Sequence, residues 1–508
     1  MKILFCVILV SLHVTQLFGQ QPKPNVLFIP VDDLRPMLSC YGDSIAVTPN
    51  FDRLAQMGVV FDRAYCQQAV CNPSRASLMT GMRPDRLRVW DLYTDFRTPN
   101  PDVITLPSYL SEYGYTTVNI GKTFHNVYAD SLSWDEMLYV DGFPFDPDAG
   151  YAGKENLEIV ERRKQKIITS GKGRKDPLGH WYIKASALDS AEVEDRAYYD
   201  GAQTYMALKK LDSLHKKTLP FFFSLGFYKP HLPFNAPKKY WDLYERDKLP
   251  VAPFQELPKE APSYAVHGDT ELRYYVGHND LNLPQETPMA KERQQELIHG
   301  YYACISYIDA QLGKVLDKLE ELKALDNTII VMWSDHGYKL GDYNSWCKQT
   351  NYEVDTRVPM IIAAPGFSEN AHTSSLSELV DLYPTVCELV GIPIPSFVDG
   401  QSLVPTLKKP HKTFQKAAAS QFLMGRFPRK NTESEERMGY SIRTERFRYT
   451  KWYEWNAHDK KGAFLTSELY DHRIDSKEIE NVALLNKSSK VIKKLDKEIV
   501  RYFKTLTN

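Results

Sequence analysis

Residues 297–337 read LIHGYYACISYIDAQLGKVLDKLEELKALDNTIIVMWSDHG. Leu297, Tyr301, Ile305, Ile308, Leu312, Val315 and Leu319 fall at intervals of three and four, so one face of a helix running to Leu322 is apolar. Leu325-Asp326-Asn327 breaks that period, and Thr328 to Trp333 is a short apolar run of strand length. Helix, turn and buried strand in this order form one unit of a layered α/β sheet. Working outward, Asn25 to Pro30, Thr116 to Ile120 and Pro220 to Phe227 are similar runs, and each ends in polar residues. The pattern predicts an α/β fold: a large, mostly parallel sheet sandwiched by helices.

Two stretches fit this pattern poorly. About Phe143 to Ala191 and Pro250 to Pro288 are rich in charge, Pro, Gly and Tyr with little periodicity, so they read as long loops or insertions. A Lys/Pro-rich linker is expected over Pro405 to Lys412. Beyond it, Tyr440 to Tyr453 reads as a β-hairpin, and Val491, Ile492, Leu495, Ile499 and Phe503 share one face of a helix over Val491 to Leu506. The expected organisation is a signal peptide over 1–20, a catalytic domain over 21–410 and a smaller C-terminal α+β domain over 411–508 containing an antiparallel sheet.

The 508 residues, 43% hydrophobic and 25% charged, suit a folded protein with a sizeable core, not a disordered or disulfide-stapled one. Lys+Arg 63 against Asp+Glu 64 gives no global reason to expect nucleic acid or an anionic membrane surface as a partner. Lys2, the apolar run Ile3 to Val10 and the polar Gln20-Gln21 have the layout of a secretory signal, too short to span a bilayer. Export of a chain without a membrane span is expected. Cys40, Cys66, Cys71, Cys304, Cys347 and Cys387 are scattered without CxxC or Cys/His spacing, which argues against a cysteine zinc site.

Ligands in open α/β sheets collect beyond the carboxyl ends of strands. Asp32-Asp33 follows the first strand, and Ser334-Asp335-His336-Gly337 follows the Thr328 strand. Three carboxylates and an imidazole gathered there repel one another unless a cation lies between them, and oxygen-rich donors favour calcium or magnesium over zinc. One aspartate alone would equally suit a helix cap. Gly121-Lys122-Thr123-Phe124-His125 and Lys229-Pro230-His231 follow the other two strands, adding cations and proton carriers. Lys348, soon after the Asp335 motif, is a further candidate cation. In Cys71-Asn72-Pro73-Ser74-Arg75-Ala76-Ser77-Leu78-Met79-Thr80-Gly81, Pro and Ser near the start suit a helix N-terminus, which favours an anion and places a thiol beside it.

Cys-x-Pro-Ser-Arg, four residues and Thr-Gly resemble the signature of the type I sulfatases of the alkaline phosphatase superfamily. The resemblance extends to Val31 to Pro36, Gln67 to Cys71, Gly121-Lys122 with His125, Lys229 to His231, Ser334 to Gly337 and Met438 to Thr444. Together these are similar to the iduronate-2-sulfatase branch. The resemblance implies that a separate maturation enzyme oxidises Cys71 to formylglycine. It also implies that one calcium ion per chain is held by Asp32, Asp33, Asp335, His336 and modified Cys71. Arg75 would then hold the formylglycine hydrate, Lys122 and Lys348 would contact sulfate oxygens, and His125 and His231 would handle protons. Many relatives carry Asn where His336 stands.

A sulfate ester repels nucleophiles and has a poor alkoxide leaving group, so cations and a general acid are needed, with His231 the expected acid and His125 the expected base. The expected substrate is a sulfated carbohydrate, such as iduronate 2-sulfate in glycosaminoglycans or a sulfated sugar of an algal ulvan. Arg162-Arg163-Lys164-Gln165-Lys166 with Lys172, Arg174 and Lys175 would either guide such a polyanion or form a solvated loop. The competing readings are a phosphodiesterase or phosphonate hydrolase of the same superfamily and a non-catalytic secreted carbohydrate-binding protein. The expected location is outside the cell or in the periplasm, or lysosomal for an animal chain.

Overall fold

The computed structural model describes residues 23–503 except 126–127, 141–149, 174, 176–182, 267–270, 282–283, 285, 426–434 and 457–459. The expected signal segment, Arg174 and residues 504–506 of the expected last helix lie outside the described residues. In β1 (Asn25–Asp32), successive side chains leave opposite faces. Val26 and Phe28 enter one apolar core, while Leu27, Ile29 and Val31 enter the other. A strand buried on both faces reads as a continuous apolar run because water touches neither side.

The sheet adds β2 (Val59–Phe61), β3 (Thr116–Gly121), β4 (Glu136–Leu138), β5 (Phe221–Pro230), β6 (Thr328–Ser334), β7 (Met360–Ala363) and β8 (Ala371–Thr373). Their order is β8-β2-β7-β6-β1-β5-β3-β4. The block from β6 through β4 is parallel, and β7 runs antiparallel to both β6 and β2. Thus the carboxyl ends of β1, β3, β5 and β6 lie along one edge, where Val31 pairs with Ser334 and Gly121 with Gly226.

Helices α1 (Pro49–Gln56), α5 (Tyr199–His215) and α6 (Lys291–Glu321) cover one face; α2 (Cys71–Thr80), α3 (Leu106–Glu112) and α7 (Leu382–Leu389) cover the other. α6 starts before the apolar spacing at Leu297 because its first turns bury amides rather than hydrocarbon. Gln294 Nε2 donates to the Met289 carbonyl at 2.7 Å, and Gln295 Nε2 to the Leu249 carbonyl at 2.8 Å.

The first stretch expected to be loop contains α4, a 17-residue helix over Lys154–Ser170. Only Asn156 and Val160 are fully buried there, so its apolar stripe is too narrow to stand out from the surrounding charge. Residues 162–166 of the basic run therefore belong to a helix, and Arg163 donates to the Lys184 carbonyl at 2.7 Å. Half of the expected linker is also helical: Val404–Lys408 forms a short helix, with Pro405 tolerated in its first turn.

The C-terminal part is a four-stranded antiparallel sheet of β9 (Ala417–Met424), β10 (Arg437–Thr444), β11 (Phe447–Asn456) and β12 (Lys460–Asp471), with β10 and β11 forming the expected hairpin. Helix α8 (Ser489–Tyr502) packs on it through Leu495 and Ile499, and Phe503 just beyond joins Tyr440 and Ile442. Each such buried side chain stabilises the contact by roughly 1.5–3 kcal/mol. β9 is tied to the chain leading into α2: Gln421 N donates to the Gln67 carbonyl at 2.8 Å, and Ser420 Oγ to the Cys66 carbonyl at 2.5 Å.

Candidate active site

β1 and β6 run side by side, so the residues following them arrive together. Asp33 leaves the strand with φ 61, and its backbone N–H donates to Asp335 Oδ1 at 3.1 Å. Ser334 Oγ donates to the His336 carbonyl at 2.9 Å and accepts from Leu34 N at 3.0 Å, locking the two strand ends. Gly337 is required because a Cβ would come within 2.0 Å of the Val354 carbonyl oxygen. Asp32, Asp33, Asp335 and His336 are all fully buried.

Cys71 begins α2, and all ten residues of that helix are buried. Cys71 Sγ lies 3.2 Å from His336 Nε2 and 3.9 Å from Asp33 Oδ1. Ligand atoms of Asp33, Cys71, Asp335 and His336 all fall within 4.8 Å of one another. The His336 Nδ1 is 2.9 Å from the Gly337 carbonyl, which can only accept, so Nδ1 donates there and Nε2 is the nitrogen turned to the cluster. Burial pushes the Cys71 thiol up, more than Lys122 and Lys348 pull it down, so as a plain thiol it is a poor nucleophile.

Arg75 lies one turn further along α2 with no exposed side-chain surface. Its Nε donates to Asp335 Oδ2 and its Nη2 to Asp32 Oδ1, both at 2.9 Å. Its Nη1 donates to the Lys122 and Thr123 carbonyls at 2.5 and 3.1 Å. These bonds use four of the five N–H donors of a guanidinium. The side chain spans the two metal-type carboxylates and leaves one donor to spare.

Lys122 Nζ donates to Asp32 Oδ2, and Lys348 Nζ to Asp33 Oδ1 and Oδ2 at 2.9 and 2.7 Å. Burial pushes the Asp32 carboxyl up, but Lys122 and Arg75 outweigh it and hold the group well below the usual range. Burial likewise lowers Lys348, and Asp33 outweighs it. Both ammonium groups are therefore charged. His231 Nε2 is 3.9 Å from Asp33 Oδ2, and its Nδ1 donates to the Leu232 carbonyl at 2.7 Å. His125 is half-buried, and among the described residues its Nδ1 has no hydrogen-bond partner. Burial, then Lys122, pulls its pKa well below that of an ordinary histidine, which keeps it neutral.

The metal and catalytic candidates named from the sequence thus gather at this sheet edge, His125 within the field of Lys122, Asp32 and Arg75 but with no hydrogen bond to them among the described residues. The sequence reading missed three supports. Glu271 Oε1 and Oε2 each sit 3.0 Å from a basic nitrogen, His231 Nε2 and Lys348 Nζ respectively. Asp200 accepts from the Tyr228 and Lys229 backbone N–H groups at 2.9 and 2.8 Å, fixing the end of β5 that carries His231. Lys339 Nζ donates to the Lys348 carbonyl at 2.9 Å and pairs with Asp355.

Residues 24–392 match the family described as Sulfatase. The chain belongs to the sulfatase family. Residues 341–505 of this sulfatase also match the family described as N-sulphoglucosamine sulphohydrolase, C-terminal. The iduronate 2-sulfatase of Mus musculus is 33% identical over 481 residues, covering 84% of each chain. Two solved structures share the fold at 23% identity. One protein, in complex with its substrate D-glucosamine-2-N,6-O-disulfate, has a TM-score of 0.70 over 95% of this chain and 98% of its own. The other, the phosphonate monoester hydrolase SpPMH from Silicibacter pomeroyi, has 0.71 over 94% and 95%. The sulfatase is a sulfuric ester hydrolase, and no described helix is long and apolar enough to cross a membrane.

Proposed function

We propose that the chain is a secreted sulfatase acting on sulfated carbohydrate, of the iduronate-2-sulfatase type, through a formylglycine made from Cys71 and seated on calcium. The observation that carries this reading is the position of Cys71 Sγ inside the cluster of Asp33, Asp335 and His336 at the head of a buried helix. The donors fit a hard divalent cation: carboxylates with no exposed surface, and the imidazole Nε2 of His336 turned toward them. Asp32, Asp33, Asp335 and His336 would hold the ion with residue 71. The ion would supply positive charge to the sulfuryl oxygens, and the hydrated aldehyde would supply the nucleophilic hydroxyl.

The protein's own side chains provide the remainder. Arg75 fixes Asp32 and Asp335 and keeps one donor for the hydrate at residue 71. Lys122 and Lys348, kept charged in a dry pocket, attract the sulfuryl oxygens. His231 protonates the leaving sugar oxygen, and neutral His125 accepts the proton released at residue 71 as sulfate departs. The similarity to iduronate 2-sulfatase over 84% of both chains supports a uronate-containing glycosaminoglycan or ulvan-like substrate. Export follows from the Lys2 to Gln21 signal pattern, and a maturation enzyme is the required partner.

Wild type and Cys71→Ala are expressed with a formylglycine-generating enzyme and assayed for free sulfate on defined sulfated oligosaccharides, including uronate 2-sulfates, with a phosphonate monoester alongside. Mass spectrometry of the peptide spanning residue 71 reads its conversion. Aldehyde at residue 71, sulfate release by the wild type and none by Cys71→Ala are expected. Sulfate release persisting at the wild-type rate in Cys71→Ala rejects the covalent reading, and faster phosphonate cleavage rejects the substrate reading.

A further inference from the structure

We propose that Glu271 is a positioning residue for the leaving-group side of the site, orienting His231 with one carboxylate oxygen while the other rests on Lys348, which Asp33 already holds. This rests on the reading of His231 as the group that protonates the departing oxygen.

Glu271 spends one oxygen on each partner, at 3.0 Å from His231 Nε2 and 3.0 Å from Lys348 Nζ. The opposite side of the imidazole is already tied, Nδ1 donating to the Leu232 carbonyl at 2.7 Å. With both nitrogens held, the ring cannot turn Nε2 away from the cluster. Lys348 is gripped in the same way, between Asp33 on one side and Glu271 on the other.

The carboxylate is itself well placed to act as a fixed point. Leu272 and Tyr275, immediately after it, are buried in the core under α6, and Val276 N donates to the Ala185 carbonyl at 2.9 Å. Attraction for substrate does not account for the residue. A fourth carboxylate beside Asp32, Asp33 and Asp335 weakens the pull on an anionic ester, and it would repel the sulfuryl oxygens if it faced them. Its effect is therefore transmitted through His231, since Lys348 keeps two bonds to Asp33 without it.

The chemistry states where this matters. As a new S–O bond forms to the nucleophile at residue 71, the old S–O bond breaks and its electron pair stays on the leaving oxygen. That oxygen shares with Glu271 the single N–H at Nε2 and takes its proton, leaving a neutral imidazole that is reprotonated from water. A sugar alkoxide needs this proton, whereas nitrophenolate leaves without it. Losing the orientation of His231 should therefore cost rate in proportion to how poor the leaving group is.

The test compares matured wild type, Glu271→Gln and His231→Ala on 4-nitrophenyl sulfate, a series of less acidic phenyl sulfates and a sugar sulfate. For Glu271→Gln the expected result is kcat within about 3-fold of wild type on 4-nitrophenyl sulfate, which also shows that the variant is folded and matured. On the sugar sulfate kcat should drop by about 100-fold, the low end for a general acid. His231→Ala should give the same leaving-group pattern, more steeply. Equal fractional losses on all esters, or no loss on any, would overturn the positioning role while the sulfatase reading stands. Absence of sulfate release by the matured wild type from every ester would overturn both.

Discussion

Replacing Arg448 with Met tests what holds the C-terminal sheet against the catalytic part. Arg448 on β11 is 1% exposed; its Nε donates to Glu478 Oε1 and its Nη2 to Glu353 Oε2, both at 2.6 Å. Removing one partner of a buried pair costs about 3–5 kcal/mol, because the remaining charge stays buried. Here Glu478 keeps His472 at 2.8 Å and Glu353 keeps Arg443 at 3.0 Å, so the low end applies, about 3 kcal/mol. The pH dependence gives a second handle. Burial pushes both glutamates up, but Arg443 and Arg448 outweigh it at Glu353, as Arg448 and His472 do at Glu478, so both are held below the usual range. Depressed carboxylates contribute stability above the unfolded glutamate value of about 4.3 and lose it as pH falls through the folded one. Without Arg448 the buried carboxylates rise instead, so protons relieve the variant and the gap narrows from pH 7 to pH 5. Urea unfolding followed by the fluorescence of Trp452 and Trp455 reads both quantities. A loss below about 1 kcal/mol at pH 7, or a gap unchanged at pH 5, would refute the reasoning, since the penalty would then not come from unpaired buried charge.

Lys339→Met should cost about 3–5 kcal/mol, because Lys339 and Asp355 are both fully buried. Adding Asp355→Leu should recover most of that loss in thermal denaturation, and a double variant as unstable as the single one would contradict this. Asp200 is pushed up to about 6 by burial, against the donors of Tyr228 and Lys229. A carboxyl raised in the folded state binds its proton more tightly there than in the unfolded chain, so stability falls as pH rises from about 4 to 6, by about 3 kcal/mol. Asp200→Asn should flatten that slope, and an unaltered slope would remove Asp200 as its source.

The sheet was legible because strands buried on both faces leave uninterrupted apolar runs, and the reactive residues of β1, β3, β5 and β6 directly follow those runs. Asp32, Asp33, Lys122, His231 and Asp335 could therefore be placed at one edge before any coordinates. Glu271 could not. It lies in a stretch with no period, and only the burial of Leu272 and Tyr275 against α6 brings it to His231. Asp200 follows Tyr199 at the start of α5, where an acidic residue looks like an ordinary complement to the helix N-terminus. Its contact with the end of β5 depends on how α5 packs, which periodicity does not report. α4 escaped notice for the opposite reason: almost all of its side chains face water or lie only partly covered.

The short helix Glu353–Thr356 links the C-terminal sheet to the reaction centre. Glu353 accepts from Arg443 and Arg448, and two residues later Asp355 pairs with Lys339, whose Nζ also donates to the Lys348 carbonyl. Lys348 in turn reaches Asp33 and Glu271. The region resembling the C-terminal part of N-sulphoglucosamine sulphohydrolase begins at residue 341, so it includes Lys348 and this helix as well as the terminal sheet. Lys348, the cation proposed to meet the substrate, is thus built into the same segment as the interface, and displacing the sheet would shift it through charges that are largely buried. Weakening Arg448 should accordingly disturb the end of the site nearest Lys348 before it disturbs Asp32 and Lys122, which hang from β1 and β3.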